Sequence, residues 1–554
     1  MLYLGIIESL SLKFLDLKET YLHHQDYNSE CYFIGEILSN EKLTYQAFQR
    51  FKQDYQPKHL LFLRGNYQVV VRIGNRIWLF SDLGNVRPIY YSQQHNYFLF
   101  SSRLNLIHQH LNTPINIPWF QRALSTSGFH LETETPYKNI YVIPGGWGLL
   151  INQNEQKLFQ AWEVDQELKL SFNESKKKLR QELVASVLLR CKERKNITTD
   201  LSGGLDSSTL TWIAATQYPI KSLTIEGKEE SEDIRIAKEI TSSLENIDHY
   251  IFQQNQIPTI YSNMDQIYTD IPIPFFWSAN KAQAKFRWAR KLQSEIHFSG
   301  EGGDSVLCAN FTYLADLIQQ FKWRTLFSHA QGWARQKNVS TWSYLIGACR
   351  LACRLPFTPG YRHSLSFNNL ADWFLFPVNS IQKRRFSKYH GVSDTIDDIH
   401  YLGYVSHGLK DLARQEQVYL AVPYLDHNVL HICLRLPSEE KMTPNELKPL
   451  LKSAFPELPT CLLERRTKGD YTADVYAGMK QHFDWFQKKI TSMYLADMGL
   501  VDLPKFQECF DRLAMGVPVP LPEFHQTLSI EMWLRQKEEK NKNDHSRSRE
   551  NANF

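Results

Sequence analysis

"DLSGGLDSSTL", Asp200–Leu210, lies between a strand-like run, "NITTD", and a run of helical period, "SSTLTWIAAT". Gly203 and Gly204 let the backbone turn tightly and bring its N–H groups close to an anion. Ser202, Ser207 and Ser208 add hydroxyl donors, and a helix beginning near Ser207 offers the positive end of its dipole. The lysine of the usual nucleotide loop is missing, and Asp206 stands in the loop instead. A carboxylate repels bare phosphate, so Asp206 makes sense as a ligand for the cation of a magnesium-bound polyphosphate. The bland alternative is a plain Gly-Gly turn with Asp-Ser capping a helix.

A second stretch, "FSGEGGDS" (Phe298–Ser305), repeats the layout of strand, glycine turn and acid. Both loops end apparent parallel strands, and ligands of a parallel sheet sit at such strand ends. Asp304 is placed to complete a magnesium site with Asp206 from the opposite side.

The surrounding sequence sets the frame. A chain of 554 residues is too long for one core. Hydrophobic residues at 43% and charged residues at 22% describe an ordinary globular composition. The formal net charge of +4 gives no argument for a nucleic-acid or membrane partner, so neither is expected. The opening "MLYLGIIESLSLKF" has no basic start or small-residue cleavage site and reads as a first strand. The eight cysteines form no CxxC pair; Cys349 and Cys353, four apart, are expected to be buried, reduced thiols of a cytoplasmic protein. No HxxxH or HExxH constellation occurs among the nineteen histidines.

Residues 1–155 are rich in short strand-like runs. "YQVVVRIGNRIWLFSD" gives a hairpin around Gly74-Asn75, and "YVIPGGWGLLI" (Tyr141–Ile151) reads as another strand pair about a Pro-Gly-Gly turn. Polar, charged stretches mark a boundary near 152–178. Strand-like and helix-like segments then alternate, which predicts a doubly wound parallel sheet covered on both faces within a second domain, 175–535, whose later part is helical. The tail, 536–554, has almost no apolar content and is expected to be disordered.

"LSGGLDSS" followed by "SGEGGD" resembles the asparagine synthetase superfamily of ATP-pyrophosphatase-type amide ligases. In that superfamily the first loop grips pyrophosphate, which explains the missing lysine. "SLTIEG" resembles the strand whose backbone meets adenine, at Ile225. "VPYLDHNVLHICLRLP" and "LKPLLKSAFPELPTCLLERRTKGD" resemble two further motif runs, and "LRGNYQVVV…LFSDLGNVRPIYY" resembles the amidotransferase domain. The resemblance implies an N-terminal, mostly-β amidotransferase-like (Ntn-type) domain over 1–155 and ATP with Mg2+ as cofactors. It implies nucleotide contacts at Leu201, Ser202, Gly203, Gly204, Asp206, Ser207, Ile225, Ser299 and Gly300, with magnesium at Asp206 and Asp304. Lys468 in "RRTKGDY" matches the lysine that stabilises the developing charge, and Glu301 matches an acid that manages protons or positions substrate. Glu232 and Asp233 read as helix-starting residues, and the aromatics of "IPIPFFW" (Ile271–Trp277) as a possible lining for a peptide-sized pocket.

Three departures bear on the substrate. Glutamine-dependent members carry a cysteine after the initiator methionine; here residue 2 is leucine, the first cysteine is Cys31, and the domain is expected to lack its nucleophile. Asn66 replaces an aspartate, and Ala421 stands where many members have arginine. The C-terminal runs "RTKGDYTADVYAGMKQH" and "LSIEMWLRQ" resemble lasso peptide cyclases most. That likeness implies a precursor peptide substrate, with a leader peptidase and a leader-recognition protein as partners. An ammonia-dependent asparagine synthetase or a β-lactam-synthetase-like ligase of a small molecule is the alternative.

Overall fold

A computed structural model of the chain describes residues 3–8, 11–125, 133–153, 155–164, 169–225, 232–353, 371–377, 386–465 and 472–551. The strands of the N-terminal part are β1 (Tyr3–Glu8), β2 (Ser11–Leu17), β3 (Tyr21–Asp26), β4 (Ser29–Ile37), β5 (Gly65–Ile73), β6 (Arg76–Phe80), β7 (Ile89–Gln93), β8 (Tyr97–Ser101), β9 (Tyr141–Ile143), β10 (Trp147–Ile151) and β11 (Gln156–Gln160). They form two antiparallel sheets, ordered β2-β1-β8-β7-β9 and β11-β10-β6-β5-β4-β3. Val70 of β5 points into the slab between the sheets with Ile34, Leu79, Phe100 and Ile143. Its neighbours Val69 and Val71 turn the other way, into the core that contains Phe48 and Phe51 of the helix Glu41–Asp54. A strand buried on both faces reads as an unbroken "VVV" because alternation has no polar side to serve.

The Gly74-Asn75 hairpin is present: Ile73 pairs with Arg76, and Gly74 takes φ +55°. The second expected strand pair is not. β9 pairs with β7 in one sheet and β10 with β6 in the other, so the Pro-Gly-Gly segment carries the chain between sheets. An apolar run on each side of a turn does not say which partner each strand takes.

A capping box on Ser171 and Glu174 opens the helix Phe172–Cys191, which leads into the second domain. Its five strands, β12 (Ile197–Asp200), β13 (Ile220–Ile225), β14 (Ile247–Phe252), β15 (Ile296–Phe298) and β16 (Tyr419–Ala421), are all parallel, in the order β14-β13-β12-β15-β16. The chain enters at the centre, winds outward to β14, then returns to the other side of β12. Crossovers therefore leave β12 and β15 in opposite directions, and the crevice beyond their carboxyl ends is where such sheets bind ligands. The mixed α/β architecture, with a mostly-β N-terminal part and a helix-covered parallel sheet, is as the sequence implies.

The last helix runs Leu521–Asn551. One expectation is corrected. Cys349 and Cys353 are exposed, because the helix Thr341–Ala352 buries Leu345, Ala348 and Leu351 instead. No helix among the described residues is long and apolar enough to cross a membrane.

The two parts are joined through buried polar groups. Arg190 makes paired hydrogen bonds to Asp426 (2.7 and 2.8 Å) and reaches Glu36 of β4 at 2.6 Å. The "DLGNVRP" loop lies against the helix His390–Gln415, so closely that a Cβ on Gly403 would sit 1.8 Å from the Gly84 carbonyl oxygen. His427 bridges both sides: its Nε2 accepts from the Leu83 N–H (3.2 Å), and its Nδ1 is 3.0 Å from the Leu61 carbonyl. Asn66 also serves this region, donating to Asp82 (3.0 Å) and accepting from Arg87 (3.1 Å).

Candidate active site

The loop after β12 is built by its own hydroxyls. Ser202 and Ser207 Oγ atoms lie 2.9 Å apart, and the buried Leu201 fixes the loop's root by donating its N–H to the Leu223 carbonyl (2.9 Å). Gly203 takes φ +68°, and a Cβ there would come within 2.7 Å of the Asp233 carbonyl oxygen. Glycine is required on both counts. Gly204 caps the helix Leu205–Ala215 with no side-chain hydrogen bond, leaving the helix start to an external acceptor.

The loop after β15 interlocks with it. Ser299 donates its N–H to the Ala421 carbonyl (3.0 Å), which ties the loop to β16. A Cβ on Gly303 would sit 2.4 Å from Asp206 Cγ, and one on Gly300 would sit 2.8 Å from the Ser207 nitrogen. The second glycine turn thus exists so that the two loops can touch. Tyr424 completes the contact, donating its hydroxyl to the Asp206 carbonyl (3.1 Å).

Asp206 and Asp304 converge on one cation. Lys448 Nζ lies 2.5 Å from Asp206 Oδ2 and 2.6 Å from Asp304 Oδ1. Burial pulls the Lys448 ammonium down, but the two carboxylates outweigh it and hold its pKa above the ordinary lysine value. Among the described residues no group of three or more His, Cys, Asp or Glu side chains is placed to hold a metal. Two carboxylates aimed at one positive point suit a divalent ion whose remaining oxygens come from nucleotide phosphates and water.

Glu301 lies within electrostatic reach of these acids, of Asp200 and of Lys285. Burial raises its carboxyl above the ordinary glutamate value; Lys285 opposes, while Asp200, Asp304 and Asp206 add to the rise. Asp200, at the end of β12, is the opposite case. Burial would raise it, but Lys285 (2.9 Å) and His297 (3.1 Å) outweigh burial and keep it well below the usual range. Two neighbouring carboxyls pushed apart in this way divide the labour: one stays ionised, the other is poised to exchange a proton. Burial, then Glu301, also pushes the Tyr401 hydroxyl up to about 12.

Asp200, Asp206, Lys285, Glu301, Asp304 and Lys448 line a cleft of about 750 Å³. At one side Ile225, Phe252, Ile257 and Trp288 form an apolar wall, with the Phe252 and Trp288 rings stacked at 4.4 Å. At the other, Lys448, Lys452 and Arg465 supply positive charge. A purine and its phosphates fit that polarity. Leu201 supports the loop from beneath and is absent from the cleft lining, as is Gly203; the remaining expected residues, Ser202, Gly204, Asp206, Ser207, Ile225, Ser299, Gly300, Glu301 and Asp304, all line it. Lys468 lies outside the described residues; Arg465, three positions before it, is at the cleft. Asp233 starts a helix as expected, but it also faces the cleft and pairs with Arg465.

Sequence reading missed Lys285, Trp288, Lys448 and Arg465. Lys285 and Trp288 lie three apart on the helix Ala279–Lys291, a same-face spacing that points nowhere until the helix is placed. Lys448 and Arg465 fall within the motif run that ends with Lys468, which by itself gives neither of them a role. The Ile271–Trp277 aromatics line no part of this cleft: Phe276 is buried in the core, and Trp277 stacks on His525 at 4.1 Å.

With this geometry the comparisons with known proteins agree. The asparagine synthase family model matches residues 178–535. The chain belongs to the asparagine synthase family. Relatives of this family member include a provisionally named asparagine synthetase, glutamine-hydrolyzing, 1 of Methanocaldococcus jannaschii, 24% identical over 46% of this chain and 46% of that one. Asparagine synthetase, glutamine-hydrolyzing, 2 of Bacillus subtilis is 25% identical over 32% of this chain and 26% of its own. Amidase chyE of Penicillium rubens is 22% identical over 54% and 50%. The chain spans about half the length, or less, of the curated relatives it matches. A solved glutamine phosphoribosylpyrophosphate amidotransferase from B. subtilis is similar at 9% identity and a TM-score of 0.21, covering 54% of this chain and 84% of that one. At that score the likeness carries no argument, and the fold stands on its own topology.

Proposed function

We propose that the protein is an ATP-dependent, AMP-forming carbon–nitrogen ligase that closes a macrolactam in a precursor peptide. The convergence of Asp206 and Asp304, from two interlocked glycine loops, on a single cationic point carries the ligase reading. A substrate carboxylate oxygen attacks the α-phosphorus of ATP, and the bond to pyrophosphate breaks. An amine then attacks the acyl carbon of the mixed anhydride, the bond to AMP breaks, and the amine's proton leaves to a base. Asp206 and Asp304 would hold Mg2+, which supplies charge neutralisation to the pyrophosphate oxygens. Ser202, Ser207 and the backbone of the Gly203–Gly204 turn bind the anionic leaving group at the helix start. Glu301, with its raised carboxyl, takes the amine's proton. Lys468 is assigned the developing negative charge on the strength of its sequence run.

The peptide reading rests on the nitrogen source. Cys31 is buried with its thiol pKa pushed up by that burial, so it offers no thiolate to release ammonia from glutamine. The amine is then one the substrate already carries: the N-terminus of a peptide whose Asp or Glu side chain is adenylated. A leader peptidase and a leader-recognition protein would deliver that peptide, and the need for ATP sets the reaction in the cytoplasm. The names of the relatives favour the second reading, a small-molecule amide ligase.

Incubation of the protein with a leaderless precursor peptide, ATP and Mg2+ tests the proposal by mass. Loss of one water together with AMP release is expected, and none should occur with Lys468→Ala or with the acceptor Asp or Glu changed to its amide. An unchanged peptide alongside asparagine and AMP from aspartate and ammonia would replace the cyclase reading with the synthetase one.

A further inference from the structure

From Leu317 to Cys353 the sequence contains no aspartate or glutamate and five lysines and arginines, of which Lys322 pairs with Glu439, in a chain with 59 acidic residues. The whole-chain charge of +4 conceals this segment. This segment holds a pair of helices, Trp323–Lys337 and Thr341–Ala352, packed against the helix Tyr313–Gln319 through Leu314, Leu317, Leu326, Ala330, Leu345 and Ala348. That inner face is satisfied. The other faces carry a second apolar set: Trp323 and Phe327 are one turn apart on the first helix, Trp342 and Ile346 one turn apart on the second, and all four are exposed.

Phe321 extends this set in a way that costs energy. It is 78% exposed, and it occupies the left-handed region at φ +57°, where a bulky side chain is strained. Its ring lies 6.4 Å from that of Trp323. Arg324, Arg335 and Lys337 are exposed on the first helix.

We propose that this pair of helices is a docking face for an anionic lipid surface, which the acid-free run of Lys and Arg attracts while the exposed Trp and Phe rings embed at the headgroup boundary. Charge complementarity selects the occupant. Acidic headgroups form a continuous negative layer that needs no matched side-chain positions, and aromatic rings flanked by Lys and Arg are suited to its boundary with the acyl chains. Contact is at the surface alone, consistent with the absence, among the described residues, of any helix able to span. The inference is independent of the reaction proposed above.

Flotation of the full-length protein with vesicles tests it. Binding is expected to vesicles containing phosphatidylglycerol in phosphatidylcholine, to weaken with added salt, and to be absent with phosphatidylcholine alone. Arg335→Gln and Lys337→Gln should each weaken binding about fivefold, as expected for one cation at such a surface. The double variant Phe327→Ser, Trp342→Ser should weaken it at least as much, with its circular-dichroism melt unchanged because neither ring is buried. Equal binding to both vesicle types, no binding to either, or undiminished binding by all these variants would overturn the proposal. Capture by soluble polyglutamate without vesicle binding would also overturn it and assign the face to an acidic protein.

Discussion

Lys448 Nζ lies 2.5 Å from Asp206 Oδ2, at the point where a divalent cation is expected. The lysine therefore holds the two acidic loops in register before any nucleotide arrives, and it competes with a bare metal ion for them. Lys448→Ala should tighten the binding of free Mg2+, measured by calorimetry, because the carboxylates lose their internal partner. The same change should slow AMP formation on the order of a hundredfold, since a positive charge beside the leaving group is gone. Unchanged turnover in a folded variant would remove Lys448 from the chemistry.

Asp206→Asn and Asp304→Asn are expected to abolish magnesium-dependent AMP release. They should differ in stability. Asp304 is half exposed, so its loss should hardly move the melting temperature, whereas Asp206 is nearly enclosed with Lys448, and breaking that pair should cost about 3 kcal/mol. Thermal melts beside AMP assays separate the two effects.

In the proposed reaction Glu301 is the base of the second half-reaction, and its carboxyl is raised by burial. Protonation removes the base, so the rate should fall as pH drops through that raised pKa, which lies above the ordinary 4.5. Glu301→Gln should lower the rate on the order of a hundredfold and flatten this acid limb. A limb that survives in the variant belongs to another group.

His427 makes the contact between the two domains acid-sensitive. Its Nε2 accepts the Leu83 N–H, so protonating that nitrogen would set two N–H groups against each other; burial likewise holds its pKa down at about 4. The unfolded chain takes the proton near 6.5, so it binds more protons than the folded one between the two values. Stability is thus full above about pH 6.5 and lost as pH falls toward 4, by about 3 kcal/mol from this group. His427→Gln should reduce that slope in melts recorded from pH 7 to 4.5. An unaltered slope would place the sensitivity elsewhere.

Glutamine should not be hydrolysed by the purified chain, and Cys31→Ala should leave amide formation unchanged. Its thiol is enclosed within the core, so its removal costs packing, about 1 kcal/mol, rather than chemistry. Released glutamate that disappears in Cys31→Ala would reverse this.

The sheet centre was legible because strand, glycine loop and helix succeed one another twice with a constant chemistry, and Asp206, Glu301 and Asp304 meet as that pattern implies. β16 was not: three residues between a long helix and a turn leave no periodicity to read. Lys448 was hidden for a different reason. It takes a left-handed backbone at φ +53° immediately before Pro449, and its role exists only because the loop from that far point of the chain reaches back to β12. The cleft's apolar wall was likewise invisible, since Trp288 reads as one more aromatic on an amphipathic helix. The exposure of Cys349 and Cys353 reversed a reading of composition, because an apolar helix with two usable faces does not announce which one is covered.

Gly84 and Gly403 touch across the two domains with no room for a single additional carbon. Truncating the gene to its second half would strip that surface, take Glu36 from Arg190 and leave His427 without the Leu61 and Leu83 backbone. The second half alone should therefore accumulate in inclusion bodies. Whoever shortens this protein for crystallisation or for use as a catalyst should keep the first domain, as a permanent companion of the second.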